Sequence, residues 1–222
     1  MKKTSILLTS LILFISLTSF NPVNFNSNSK IFKIKEFEVS NVYYLNKDMF
    51  LNFLLKSFED ENLIKFKKEQ IMLIINEFDI IDSIKIRKIY PSKIKIDVKE
   101  KKPIAILIKD KKTFYLTEEN EIIGYFGHEK LEGLPNIIGN HENFFDLYKV
   151  LILNNFAINE VKSFYYFNIG RWDVILKDGK IIKLPPENYE SSIKNFNEMK
   201  FNNNLNKYSI FDYRIKDQLI LN

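Results

Sequence analysis

The chain has 222 residues, with 33 Lys and Arg against 28 Asp and Glu, a formal net charge of +5. At 45% hydrophobic and 27% charged residues it has enough apolar material for a folded core, which excludes a disordered polyanion or polycation, and its length allows one or two small domains. No cysteine is present, so disulfides, thiolate-bound metal and thiol nucleophiles are excluded; with two histidines and six glycines besides, the composition favours a binding protein over an enzyme.

Lys2 and Lys3 precede residues 6–20, an uncharged stretch with ten Leu, Ile or Phe residues, interrupted only by Ser and Thr. Each such residue favours membrane insertion by ~0.3–0.6 kcal/mol, and the charge-free span up to Lys30 reaches the length a bilayer requires. Positive charges in front of it keep the amino terminus in the cytoplasm and send the bulk of the chain across the membrane. A retained anchor and a cleavable signal peptide both fit this pattern, and small residues near Ser16 and Ser19 supply a cleavage exit for the second. Residues 21–29 form a polar spacer.

A strand is expected over residues 31–39, where Phe32 and Ile34 share one phase and Phe37 and Val39 the other. Asn46 caps a helix bearing Phe50, Leu51, Leu54, Leu55 and Phe58 on one face. A second helix starts near Lys68, with Ile71, Met72, Ile75 and Phe78 inward and no good capping residue. The period then changes to two: Ile84 and Ile86, and Ile94, Ile96 and Val98, flank a turn at Tyr90, Pro91 and Ser92, the signature of a hairpin. Strand, helix, helix, strand, strand describes an α+β unit with both helices on one face of a sheet.

After Pro103 short strands and turns dominate. Phe114, Tyr115 and Leu116 lead through Glu118, Glu119, Asn120 and Glu121 to Ile122 and Ile123. Residues 172–176 and 180–184 flank Asp178-Gly179, for which the spacing predicts a two-residue type I′ hairpin turn. Pro185 and Pro186 end that hairpin, a short helix over 189–199 turns Ile193 and Phe196 inward, and residues 209–221 read as two strands around Lys216 and Asp217. The second unit is therefore mostly antiparallel β with a short helix.

Sites for chemistry are sparse. His128 and His141 lack the further ligands of a zinc site, no glycine-rich phosphate cradle is present, and Glu118, Glu119 and Glu121 suit a solvated turn better than an acid/base pair. The Lys-rich stretches 65–68 and 99–102 have too little aromatic interleaving for nucleic acid and suit a solvated face or anionic lipid headgroups. No cofactor, metal or catalytic residue is expected.

Tyr90-Pro91-Ser92-Lys93-Ile94, followed by Val98-Lys99-Glu100-Lys101-Lys102-Pro103-Ile104-Ala105, is similar to a signature of the FtsQ/DivIB family of bacterial cell-division proteins. Leu134-Pro135 with Ile138-Gly139, then Arg171-Trp172-Asp173, then Phe211-Asp212-Tyr213-Arg214 follow in the family's order, the last two in forms that resemble its alphaproteobacterial branch. Lys101 stands where the family has Arg, and Ser40-Asn41 where a Gly often follows the first strand. The resemblance implies a short cytoplasmic tail, transmembrane helix and spacer over residues 1–29, a POTRA domain over 30–104 and a carboxy-terminal β-domain over 105–222. It further implies a non-enzymatic divisome scaffold at the septum, single-pass in the inner membrane with its bulk in the periplasm. Its partners would be FtsB and FtsL at the β-domain, with other divisome membrane proteins at the POTRA domain and anchor. A POTRA-bearing periplasmic transport or assembly factor, and a secreted periplasmic protein with a cleaved signal peptide, are the alternatives.

Alternation in 211–215 is expected to put Phe211, Tyr213 and Ile215 on one face and Asp212 and Arg214 on the other. Because the chain ends soon after, the last strand is expected at a sheet edge, where unpaired backbone groups can template a partner strand. The resemblance implies FtsB docking in this region, and Phe211, Tyr213, Arg214, Ile215, Leu219 and Leu221 are the candidate contact residues. The competing reading makes Phe211, Tyr213 and Leu219 core residues and pairs Arg214 with Asp212.

Overall fold

A computed structural model describes residues 9–15, 32–200 and 207–222. The expected anchor and spacer fall mostly outside them; residues 9–15 are helical, and among the described residues no helix is long and apolar enough to cross a membrane. The chain divides into two compact units, the first comprising Met1–Val42, Asn46–Asn76 and Ile84–Val98, the second Tyr43–Leu45, Glu77–Ser83 and Lys99–Asn222.

In the first unit the elements run β1 (Glu36–Ser40), α1 (Lys47–Phe58), α2 (Lys68–Glu77), β2 (Ile81–Ile89) and β3 (Lys93–Glu100), the last three running on into residues of the second unit. The sheet order is β1-β3-β2, with β1 parallel to β3. Strand β1 starts later than the periodicity predicts: Lys33 makes only an isolated bridge to Asn62, and Ile34 donates its N–H to Glu61 O at 2.9 Å. Asn46 caps α1 as expected, its side chain accepting from Met49 N at 3.0 Å, and Phe50, Leu54 and Phe58 are the buried stripe. In α2 Ile74 is buried and the expected Ile71, Ile75 and Phe78 are half-buried around it, whereas Met72 is exposed, so the apolar face is centred on Ile74. Its start is held by Gln70, whose Oε1 accepts from Lys67 N at 2.9 Å, half of a capping box. The β2–β3 turn holds a cis Tyr90-Pro91 bond.

The second unit is a nine-stranded sheet of order β12-β11-β10-β9-β8-β7-β4-β5-β6. Its strands are β4 (Pro103–Lys109), β5 (Lys112–Thr117), β6 (Ile122–Gly124), β7 (Asn136–Ile138), β8 (Val161–Phe167), β9 (Arg171–Leu176), β10 (Ile181–Lys183), β11 (Ile210–Asp212) and β12 (Ile220–Leu221). Five pairings are antiparallel; β4–β7, β7–β8 and β10–β11 are parallel, so the sheet is mixed but mostly antiparallel. Among the described residues two α-helices, α3 (Phe144–Leu153) and α4 (Glu190–Met199), lie in this unit, the first where the sequence predicts none.

Register places one inward side chain per strand in a single row: Leu107, Ile137, Phe164, Val174, Ile182, Phe211 and Leu221. Phe144, Leu147 and Leu151 of α3 and Ile193 and Phe196 of α4 join six of these and Trp172 in one buried cluster, against which Leu221 packs half-buried. Both helices thus cover the same face, and burial of this apolar surface is the main force holding the unit together.

One turn differs from expectation. At Asp178-Gly179 only Gly179 has positive φ (+93°), Leu176 N–H reaches Lys180 O at 2.8 Å and Gly179 N–H reaches Leu176 O at 3.1 Å. A type I′ turn needs positive φ at both central residues, so this is a three-residue loop closed by a left-handed glycine. The two-residue turn with both φ positive is instead Asp110-Lys111 (51° and 62°), between the paired Lys109 and Lys112.

Candidate functional site

The carboxy-terminal end of the sheet is assembled by β9, β10, β11 and β12 with α4 behind them. Phe211 sits edge-on to Phe196 at 5.0 Å, and Tyr213 N–H continues the β10–β11 pairing by donating to Lys183 O at 2.9 Å. The Tyr213 hydroxyl hydrogen-bonds Asn195 Oδ1 at 2.9 Å, and its burial pushes the phenol pKa well above the usual value.

On the opposite face the register lines up Tyr165, Asp173, Lys183, Asp212 and Ile220. Asp212, 6% exposed, accepts from Arg214 N at 3.1 Å and from Arg214 Nε at 2.8 and 2.9 Å, with a further bond from the guanidinium terminus. The Arg214 side chain beside it holds its carboxyl below the ordinary range, and the carboxylate in turn raises Arg214. Asp173 is the converse. Burial pushes its carboxyl up, against the pull of Arg171, Lys183 and Arg214. Arg171 Nε lies 3.2 Å from Asp173 Oδ1, an ion pair by distance, yet neither atom has a hydrogen bond of acceptable geometry and both are buried. The Arg171 guanidinium also lies over the Phe167 ring at 4.3 Å.

Strand β12 is the terminal strand of the sheet. Asn222 exchanges both backbone bonds with Ile210, N–H to O at 3.1 Å and O from N–H at 2.9 Å. In an antiparallel ladder such pairs alternate with pairs whose backbone groups point away, so Leu221, opposite Phe211, turns its N–H and C=O to the open side. Between α4 and the β11–β12 connection lies a groove of about 320 Å³, lined by Ser191, Asn195, Tyr213, Ile215, Gln218 and Leu219 among others.

The six residues singled out from the sequence therefore share one region but not one face. Phe211 and Tyr213 are 1% and 7% exposed and belong to the core, with Leu219 and Leu221 half-buried against it, while Arg214 and Ile215 are exposed. Strict alternation fails because β11 stops at Asp212: residues 211, 212 and 213 are all buried, and Ile215 lies in the bend beyond. The arginine pairs with Asp212, as the packing reading holds. Sequence reasoning missed the Asp173–Lys183–Asp212 row, although the i, i+2 spacing in Arg171-Trp172-Asp173 and Asp212-Tyr213-Arg214 already placed each pair on one face of a strand.

Elsewhere both histidines are half-buried: His128 caps a short turn by accepting from Lys130 N at 3.2 Å, and burial lowers His141. Lys99, Lys101 and Lys102 each hold a carboxylate, those of Asp82, Glu121 and Glu118. Among the described residues no group of three or more His, Asp or Glu is placed to hold a metal.

Fold and edge together define an α+β protein with a broad, mostly antiparallel sheet and an open terminal strand beside a charged row. Two curated proteins are similar to it in sequence, both named cell division protein FtsQ. That of Rickettsia bellii is 31% identical over 135 residues, 58% of this chain, and that of Rickettsia typhi 28% identical over 136 residues, again 58%. Each match takes in 49% of the relative, so the chain spans about half the length of the curated relatives it matches. The resemblance to FtsQ drawn from the motifs is thereby shown. No family model matches the chain. Among solved structures, the major extracytoplasmic domain of the trans isomer of DivIB from Geobacillus stearothermophilus covers 46% of this chain and 92% of its own, at 14% identity and a TM-score of 0.31, too low to carry an inference.

Proposed function

We propose that this chain is a non-enzymatic scaffold of the bacterial division machinery that binds FtsB and FtsL through the open edge of β12. In this reading residues 30–104 are the POTRA domain, offering a surface to other divisome membrane proteins, and residues 105–222 the partner-binding β-domain. The amino-terminal apolar stretch is the single inner-membrane anchor, with the bulk of the chain in the periplasm at the septum. The observation that carries the reading is the terminal position of β12, with the outward backbone groups of Leu221 unpaired by the sheet. Similarity to proteins named for cell division supports the setting. Arg214 and Ile215 are exposed at the start of the β11–β12 connection, and on this reading they offer the added strand a cation and an apolar contact.

The test is co-purification of the full chain with the FtsB–FtsL pair. Leu221→Pro removes an outward donor without touching a β11 bond, so it is expected to keep the wild-type circular dichroism spectrum and lose the pair. A folded Leu221→Pro chain that retains the partners as wild type does would refute edge docking.

A further inference from the structure

The motif Val98–Ala105 contains one residue whose chemistry neither the core nor the partner edge uses. Val98, Ile104 and Ala105 are buried, and the three lysines of the motif hold carboxylates as described. Glu100, at the end of β3, reaches instead to the connection between β1 and α1. Its Oε2 accepts from Tyr43 N at 3.0 Å and Tyr44 N at 2.8 Å, and its Oε1 accepts from Leu45 N at 2.9 Å.

Three consecutive N–H groups converging on one carboxylate form an anion-binding concavity, here filled from within the chain. These residues lie outside any helix or strand, so Glu100 supplies the acceptors that secondary structure would otherwise provide. Further contacts come from the side: Lys130 Nζ sits 3.7 Å over the Tyr43 ring and donates to Tyr43 O at 3.2 Å, and His128 meets the Tyr44 ring edge-on at 6.2 Å. Tyr43 is nonetheless 57% exposed, so its ring contacts are solvated, whereas the bonds to Glu100 are charge-assisted and geometrically close.

We propose that Glu100 is a latch: with Leu45 anchored by burial, 7% exposed, the carboxylate decides whether the backbone of the strap Tyr43–Leu45 is ordered, and the Lys130 and His128 contacts form only on the latched strap. The strap is thus a conformational element with two states, latched and open, set by one side chain. This explains why a glutamate stands within a motif otherwise made of core residues and paired lysines.

Amide hydrogen exchange on the full chain tests it. In Glu100→Ala the amides of residues 43–45 are expected to exchange at least about tenfold faster, as loss of three charge-assisted bonds by amides outside any helix or strand implies, while Phe164 and Val174 in the central sheet stay within about twofold of wild type. Glu100→Gln, which keeps the length and one oxygen acceptor, is expected to fall between, and it carries the test where the alanine variant does not fold. Lys130→Ala is expected to leave the strap amides within about twofold of wild type. Unchanged exchange at 43–45 in both Glu100 variants overturns the latch. So does a Lys130→Ala variant that opens the strap as far as Glu100→Ala, since the ring contacts would then be the cause of order rather than its result.

Discussion

Replacing Gly139 by alanine tests whether the β7–β8 junction is built as described. Gly139 follows the last paired residue of β7, has φ +100°, and a Cβ there would lie 2.6 Å from Tyr166 O and 3.3 Å from Tyr166 Cβ. Gly179 has nearly the same backbone, φ +93°, but nothing within 4 Å of the added atom. The two substitutions share the cost of positive φ for an L residue, about 1–2 kcal/mol. They also share an opposing gain of about 0.4–1 kcal/mol from a less flexible unfolded chain. Gly179→Ala should therefore cost about 1 kcal/mol. Gly139→Ala adds a clash with the backbone carbonyl of Tyr166, which the antiparallel pairing with Trp172 of β9 holds in place, and shifting that strand adds about 2 kcal/mol more, for a total near 3 kcal/mol. Urea unfolding followed by tryptophan fluorescence reads both through Trp172, the only tryptophan, which is buried in the same unit. With a slope of about 2 kcal/mol/M the midpoint should fall by about 1.5 M for Gly139→Ala and about 0.5 M for Gly179→Ala. If the two costs agree within about 0.5 kcal/mol, the close approach of Tyr166 is not the reason for glycine at 139.

The Asp110-Lys111 turn places a non-glycine residue at both positive-φ positions, so Lys111→Gly is expected to raise stability by about 0.5–1 kcal/mol, and a lower thermal midpoint would count against the turn assignment. Asp212 and Asp173 should bend the pH profile of stability in opposite directions. Asp212, held below its ordinary 3.8, contributes stability above that pH that is lost as pH falls through its folded value, so Asp212→Asn should remove the acid-labile part. Asp173, raised above 3.8, costs stability while ionised and takes up its proton first in the folded state, so stability should grow as pH falls toward 3.8. Asp173→Asn should be at least as stable as wild type at neutral pH; thermal midpoints measured from about pH 3 to about pH 7 decide both, and a less stable Asp173→Asn at neutral pH would show that the buried carboxylate is compensated after all.

What was legible in the sequence is what has a local signature. Asn46 before an apolar stripe, Tyr90-Pro91 between alternating strands, and Ile193 with Phe196 at helical spacing each specify their element within a few residues. Helix α3 left no such mark, because Phe145, Tyr148, Val150, Ile152 and Leu153 spread apolar character beyond the buried face of Phe144, Leu147 and Leu151, and Asn143 makes no capping bond with its side chain. Strand β8 is obscured by an irregularity between Val161 and Ser163 that breaks the alternation, and β7 is three residues long. Two strands around Lys216 and Asp217 were legible from the turn between apolar residues, but which side chains face outward was not. That depends on β11 stopping at Asp212 and on Arg214 folding back over the carboxylate, a contact two residues long that alternation cannot foresee.

The two arginine–aspartate stations acquire a common meaning once the register is known. Arg171 and Asp173 lie two apart on β9; Asp212 and Arg214 lie two apart at the end of β11; Lys183 of β10 stands between the aspartates, so the three strands are crossed by one charged row. A row of this kind is a poor source of stability, since each buried carboxylate pays desolvation and Asp173 is incompletely satisfied. Its effect is on register instead: a one-residue slip of β10 would carry Lys183 to the core face and remove the cation that stands between Asp173 and Asp212, while bringing Ile182 out of the buried row. The row therefore fixes how β10 and β11 are aligned on β9, and through β11 it fixes where β12 ends and which backbone groups of Leu221 are left open. On the proposed function, the charges that resemble the family's motif serve the partner edge chiefly by setting its register, and only Arg214, at the exposed end of the row, is placed to meet the partner directly.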